Sequence, residues 1–362
     1  MITTSRYNSD TLSFSYSRIV KGRFTLYGAT TNINMRPRTI LACTAVTVTL
    51  LWFCTMRSYS SRLRKHLRWV RSAGFKTLSR ELEVAVTLAI LCGEAMIKTT
   101  ARRGTTLKDG TAGIDPQTET DVANERLIME KIAACFPAHA VIGEEATAAA
   151  GGTVPPIDPE TPTWVVDPID GTQNFCHGLP ESSVSIGLCL AGTPALGVIY
   201  DPYRDELYVG IAAEGLACVN GVRLPRVDPA TESIPLDKAL CLTDVGYERS
   251  PAGTQALAAV HQAILESNVF GLRIVGTTVL SLAWLAAGRC SAVYMGVGKR
   301  DCPKAWDWAA AWAINMAVGI KFGRLDSDQP FVLSSPSILA ARSESLARTL
   351  RRTLCTALVT LK

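Results

Sequence analysis

The 362-residue sequence contains no CxxC pair and no zinc-type cysteine spacing. Its eleven cysteines stand singly, which excludes a zinc ribbon and a dithiol redox motif. An odd number scattered through apolar segments also argues against a disulfide framework. The folded part is therefore expected in a reducing compartment, the cytoplasm first. No internal repeat or low-complexity tract is present. No apolar run reaches membrane-span length: the run 40–54 is fifteen residues long, against the roughly twenty that a span needs. Acidic residues are nearly missing from residues 1–80, where fourteen Lys/Arg face Asp10 alone, a balance of +13. The rest of the chain has twenty-three basic and thirty-one acidic residues, a balance of −8 within the overall +5. Basic charge thus sits in a leader and not on a folded face, so no nucleic-acid partner is expected.

The leader, residues 1–78, is a basic N-terminal extension around the apolar run 40–54. Arg36 and Arg38 precede that run, and Arg57, Arg62, Arg64, Lys65, Arg68 and Arg71 follow it. Three readings stand side by side. The first is a membrane contact or short anchor, with positive charge on both flanks leaving its orientation open. The second is an organelle presequence, which the acid-poor, Arg- and Ser-rich composition fits. The third is a start at Met35 or Met56.

Residues 79–362 form the expected catalytic domain, and its centre is Trp164-Val-Val-Asp-Pro-Ile-Asp-Gly-Thr172. Val165 and Val166 end a buried strand, because a short β-branched run bounded by Pro and Gly marks one. Asp167 and Asp170 follow on a Pro-stiffened turn, where two close carboxylates call for a cation. Gly171-Thr172 then opens a helix, whose free amides attract an anion. Cations beside a phosphate cradle suit metal-assisted hydrolysis of a phosphate ester. Further acids stand at the ends of other elements: Asp121 opening a helix that runs to Cys135, Glu144 after the strand 140–142, and Asp307 in the helix 305–318. Helices are also expected over 79–100, 254–267, 278–287 and 343–361. Strands are expected at 183–190, 197–200, 206–209, around Asn220-Gly221, at 273–275 and at 292–295. This alternation predicts a layered α+β domain with one mostly antiparallel sheet and a second, mixed one.

The motifs Thr120-Asp121, Ile142-Gly143-Glu144-Glu145, Trp164–Thr172 continuing through Asn174-Phe175 and His177, Val275-Gly276-Thr277, and Ala305-Trp306-Asp307-Trp308-Ala309-Ala310 closely resemble the inositol monophosphatase family over about residues 80–350. The resemblance implies the layered α-β-α-β-α sandwich of inositol monophosphatases and sugar phosphatases, a homodimer, lithium sensitivity and two to three Mg²⁺ ions. Glu144, Asp167 and the Ile169 carbonyl would hold the first ion. Asp167, Asp170 and Asp307 would hold the second, with Asp167 bridging, and Glu144 with water a weaker third. Asp121, Thr172 and Asp170 would be the catalytic residues, Thr172 paired with Asp121 to orient and deprotonate the attacking water. Gly171 and Thr172 amides would bind the phosphate, and Gly276, Thr277 and Asp307 would also contact the substrate, a small phosphate monoester.

The sequence departs from the family at the leaving-group side. The strand 292–295 ends in Met295 where many members carry an acid, and the connection after it is longer and holds Lys299, Arg300 and Asp301. Asp301 replaces that acid, or the pocket takes another alcohol. Tyr247 follows Gly246 where a small polar residue is common. The leading expectation is hydrolysis of myo-inositol monophosphate. The same mechanism on 3′-phosphoadenosine, histidinol phosphate or a sugar phosphate is the alternative. A scaffold on a dead phosphatase fold is disfavoured, because every metal carboxylate is present.

Overall fold

The computed structural model describes residues 22–26, 29–33, 60–99, 105–108, 115–298 and 303–359. The chain divides into two units, Met1–Tyr59 and Ser60–Lys362. In the first, strands β1 (Gly22–Leu26) and β2 (Ala29–Ile33) pair as an antiparallel hairpin. The apolar run 40–54 and the segment with Asp301 lie outside the described residues. No described helix is long and apolar enough to cross a membrane.

The second unit starts at Ser60, well before the boundary expected at 78/79, and the reason is helix α1 (Ser61–Ser72). Leu63, His66, Leu67 and Val70 repeat at helical spacing and are buried, so this stretch of the basic leader is part of the fold. Ser60 caps it, its hydroxyl accepting the Leu63 amide at 3.2 Å. His66 is fully buried and its Nε2 lies 2.8 Å from the Asp205 carboxylate.

Helices α2 (Ser79–Lys98) and α3 (Glu119–Cys135) pack on one face of a seven-stranded sheet. Strands β3 (Thr106–Leu107) and β4 (Pro116–Gln117) form a separate antiparallel pair, and the order of the large sheet, whose strand ranges follow, is β11-β10-β9-β8-β7-β6-β5. Strands β5 (Ala140–Gly143) and β6 (Thr163–Asp170) run parallel. All its other neighbours are antiparallel: β7 (Ser183–Leu190), β8 (Thr193–Asp201), β9 (Glu206–Ile211), β10 (Leu216–Val219) and β11 (Val222–Arg223). The second sheet has five strands and is mixed, as the sequence predicts. In it β12 (Leu240–Thr243) pairs parallel with β13 (Gly271–Ile274) and β14 (Ala292–Met295), while β16 (Ile338–Ala341) pairs antiparallel with β14 and β15 (Phe322–Gly323).

Between the sheets lie α7 (Thr278–Ala286) and α8 (Ala305–Val318), which share one apolar core with Ile199 and Tyr208 on one side and Leu242, Val293 and Met295 on the other. On the outer face, α6 (Pro251–Glu266) and α9 (Glu344–Val359) cover Cys241, Ala292, Tyr294 and Leu339. The layers are therefore α-β-α-β-α. Residues 293 and 295 point inward and 292 and 294 outward, the period of two that a sheet covered on both faces requires.

Helix α8 sits unusually close to the large sheet. Gly187, Gly197 and Gly210 are register partners on three adjacent strands. A Cβ on Gly197 would stand 2.0 Å from the Ala310 carbonyl oxygen, and one on Gly210 2.7 Å from Ile314 Cα. This strip without side chains lets the helix backbone rest on the strands, and it fixes where the first turn of α8 falls.

Candidate active site

Strand β6 runs on to Asp170, four residues beyond Val166, because it pairs with β7 through a bulge: Asp167 stays opposite Ser185 and Asp170 opposite Ser183. Pro168 has no N–H to give the ladder, which suits it to the bulge. The Asp167 carboxylate accepts the Ile169 amide at 2.9 Å. Asp170 reaches the start of α7, accepting the Thr277 hydroxyl, the Thr278 amide at 3.3 Å and the Val279 amide at 3.1 Å. Asp307 lies in the first turn of α8 and accepts the Lys304 amide, where the helix dipole favours an anion. Two elements distant along the chain, β6 and α8, thus bring together carboxylate oxygens of Asp167, Asp170 and Asp307, all within 4.8 Å of one another.

So much negative charge in a buried place is unfavourable by itself. Burial first, then Glu144, Asp170 and Asp307, hold the Asp167 carboxyl well above its ordinary range. Burial, helped by Asp170 and Glu144, does the same to Asp307. Asp170 is pushed up to about 7, mainly by burial, although its hydrogen bonds to Thr277 and Val279 pull the other way. The donors are hard oxygens, and their crowding is relieved by a divalent cation of the Mg²⁺ or Ca²⁺ kind.

Glu144 opens the short helix α4 (Glu144–Ala149) beside this cluster, close enough to raise all three acids. It lies outside the tight group of three and is held by Lys108 Nζ at 2.6 Å. Lys108 also meets Glu145 at 3.0 Å and Asp115 at 4.0 Å. Burial would lower its pKa, but these carboxylates outweigh that and raise it. Sequence reasoning gave Lys108 no role, since one lysine in a polar, Gly-rich stretch carries no signal of its own.

The expected Thr172–Asp121 pair is present. The Thr172 hydroxyl lies 3.3 Å from Asp121 Oδ1 and 2.9 Å from the Ile169 carbonyl oxygen. Having one proton, it donates to one of them at a time. Asp121 is fully buried and is pushed up to about 6, chiefly by burial, against hydrogen bonds from Thr118. The same carboxylate also serves the fold, closing a capping box with Thr118 at the start of α3. That is why the helix begins at Glu119, ahead of Asp121.

Gly171 precedes helix α5 (Thr172–His177) with φ +82°, and a Cβ on it would stand 2.7 Å from the Glu181 carbonyl oxygen. Only glycine meets both demands. Asn174 ties the neighbouring loops together, its amide lying 2.8 Å from the Glu181 carbonyl and 2.9 Å from that of Val275. A cavity of about 310 Å³ opens here, lined by Glu144, Asp167, Ile169, Asp170, Gly171, Thr172, Gly276, Thr277 and Asp307. The expected site residues therefore converge, apart from Asp121, which reaches the cavity wall through Thr172. The Thr277 hydroxyl is committed to Asp170, so its side chain faces that carboxylate. Met295 is fully buried in the core between the sheets, while Tyr247 lines the cavity. His177 is exposed.

The family model for the inositol monophosphatase family matches residues 77–358. The chain belongs to the inositol monophosphatase family. It is 37% identical over 268 residues to inositol monophosphatase 2 of Rattus norvegicus, covering 73% of this chain and 86% of that one. It is 40% identical over 207 residues to inositol monophosphatase 2 of Solanum lycopersicum, covering 57% and 73%. Among solved structures, the inositol monophosphatase from Anabaena (Nostoc) sp. PCC 7120 superposes with a TM-score of 0.62 at 26% identity, over 78% of this chain and 97% of that one. The layered fold is that of this family, and its metal-dependent chemistry agrees with the acid cluster.

Proposed function

We propose that this inositol monophosphatase family member is a Mg²⁺-dependent phosphomonoesterase that hydrolyses myo-inositol monophosphate to inositol and phosphate by direct attack of water. The observation that carries the reading is the meeting of Asp167, Asp170 and Asp307 oxygens within 4.8 Å, in the cavity that Thr172 lines. Glu144, Asp167 and the Ile169 carbonyl would hold one Mg²⁺. Asp167, Asp170 and Asp307 would hold a second, and Glu144 with water a weaker third. Ions held there would supply screening of the phosphoryl charge and a lowered pKa for a water.

The chain's own residues supply the rest. Thr172, donating to Asp121, keeps an oxygen lone pair free to accept from the attacking water. Asp121, raised to about 6, is a better proton acceptor than an ordinary aspartate. Asp170 holds the start of α7 against the acid turn, which sets Gly276 and Thr277 beside the substrate. Gly171 and Thr172 amides, at the opening of α5, take the phosphate oxygens. No cysteine nucleophile is involved: burial pushes the Cys176 thiol up, the wrong direction for a thiolate.

A second substrate, 3′-phosphoadenosine, histidinol phosphate or a sugar phosphate, is favoured by one feature. The cavity wall carries Tyr247, and Met295 is withdrawn into the core. We further infer a homodimer, lithium sensitivity, a reducing compartment such as the cytoplasm, and anchoring or targeting by residues 40–54. The test is phosphate release from a panel of monoesters, with and without Mg²⁺ and Li⁺. Mg²⁺-dependent, Li⁺-sensitive release favouring inositol phosphates supports the proposal. Activity confined to nucleotide, histidinol or sugar phosphates overturns the substrate, and no release from any ester overturns the reaction.

A further inference from the structure

Glu125 is a carboxylate with only 3% of its surface exposed, and the mechanism above does not use it. It lies four residues after Asp121 on α3, on the face that continues through Ile128 and Ile132, all four being buried. A buried carboxylate is tolerated only where its oxygens are satisfied. Here Oε2 accepts the Glu145 amide at 2.8 Å and Oε1 the Ala146 amide at 2.7 Å. Those are first-turn amides of α4, the helix that Glu144 opens. Gly143, at the N-cap, makes no side-chain cap, and a Cβ there would stand 2.5 Å from the Glu125 carboxylate. The local cap has been given up so that a carboxylate from another helix can supply it.

We propose that Glu125 is a positioning residue for the divalent cation: by clamping the start of α4 to α3, it fixes Glu144 relative to Asp121. The inference rests on the metal site proposed above. One rigid connection then sets both a metal carboxylate and the partner of Thr172. Groups that orient metal ligands in this way change metal affinity about 10- to 100-fold when removed.

The experiment is calorimetric titration of the EDTA-treated full chain with Mg²⁺ alone and Mn²⁺ alone, for the wild type, Glu125→Gln and Gly143→Ala. Gln keeps the shape of Glu125 but leaves one amide without an acceptor. Ala at 143 displaces the carboxylate without altering it, so it carries the test if the first variant fails to fold. Both variants are expected to bind metal at least 10-fold more weakly, with kcat at saturating Mg²⁺ close to wild type. Unchanged metal dissociation constants overturn the inference, and a lowered thermal midpoint with unchanged metal affinity does so too, by reducing Glu125 to a structural cap. A wild type that binds neither ion overturns the metal site itself, a different failure.

Discussion

Asp167→Asn should make the metal-free protein more stable while abolishing its turnover. In the absence of a cation the acids of the site repel one another in a buried place. Asp170 is raised from 3.8 to about 7. At about 1.36 kcal/mol per unit, the ionised form of that one group opposes folding by about 4 kcal/mol. Asp167 is fully buried, shares Glu144 as a charged neighbour and is driven in the same direction, first by burial. Among the described residues its hydrogen bond comes from the Ile169 amide, and the Asn oxygen can accept that equally well. Halving the Asp170 figure, because water entering the cavity relaxes the charges, sets the scale of such repulsion at roughly 2 kcal/mol, about 3 °C in midpoint for a fold of this length, and the loss of the Asp167 charge should move the midpoint upward on that scale.

The sign fixes the pH at which to look. A carboxyl whose folded pKa is raised binds more protons folded than unfolded, so wild-type stability in EDTA falls as pH rises from about 4 through about 7. The advantage of the variant should therefore be largest at pH 8 and shrink towards pH 5. His66, lowered mainly by burial, works the other way by opposing folding when it must be protonated. It does so in both proteins, so the difference between them isolates the acids. Mg²⁺ should reverse the ranking by stabilising the wild type alone, by about 2.7 kcal/mol at one hundred times its dissociation constant. Thermal melts of both proteins in EDTA and in Mg²⁺ at pH 5, 6.5 and 8 test this. A variant no more stable than wild type in EDTA at pH 8, or one that keeps Mg²⁺-dependent turnover, would refute the reasoning.

Thr172→Ala should lower kcat by about 100-fold or more with KM within a few fold, because the hydroxyl acts on the water and not on substrate binding; steady-state kinetics in which only KM rises would reassign it to binding. Gly197→Ala should destabilise the fold by about 1–3 kcal/mol, since its Cβ would stand 2.0 Å from the Ala310 carbonyl oxygen, and should weaken Mg²⁺ binding because α8 carries Asp307. A denaturant melt and a metal titration check it, and unchanged metal affinity would sever the strip from the site. A chain beginning at Ser79 should be several kcal/mol less stable than one beginning at Ser60, because it loses the buried Leu63, Leu67 and Val70. Equal denaturation midpoints would show that α1 adds nothing.

The site is largely legible in the sequence because its chemistry is written locally. Two acids on a Pro-containing strand end, followed by Gly-Thr, restrict themselves to few purposes, and Asp307 announces itself by opening an apolar helix. The layers are legible through periodicity, since strands such as 183–190 and helices such as 305–318 carry their pattern within single segments. What the sequence hides depends on contacts between segments distant along the chain. Helix α1 has a regular apolar stripe, yet its arginines blend with the basic leader, and only its packing against the rest of its own unit makes it part of the fold. Lys108 gains its meaning from Glu144 and Glu145, far along the chain. Glu125 does leave a trace, as an acid on the apolar stripe of α3 four residues after Asp121. An acid at a core position is evidence that something on the facing element needs it, and here the need is two amides beside Glu144. The same logic applies to the glycines of β7, β8 and β9: each alone reads as a weak point in a strand, and only their register against α8 shows that together they set the height of Asp307 above the sheet.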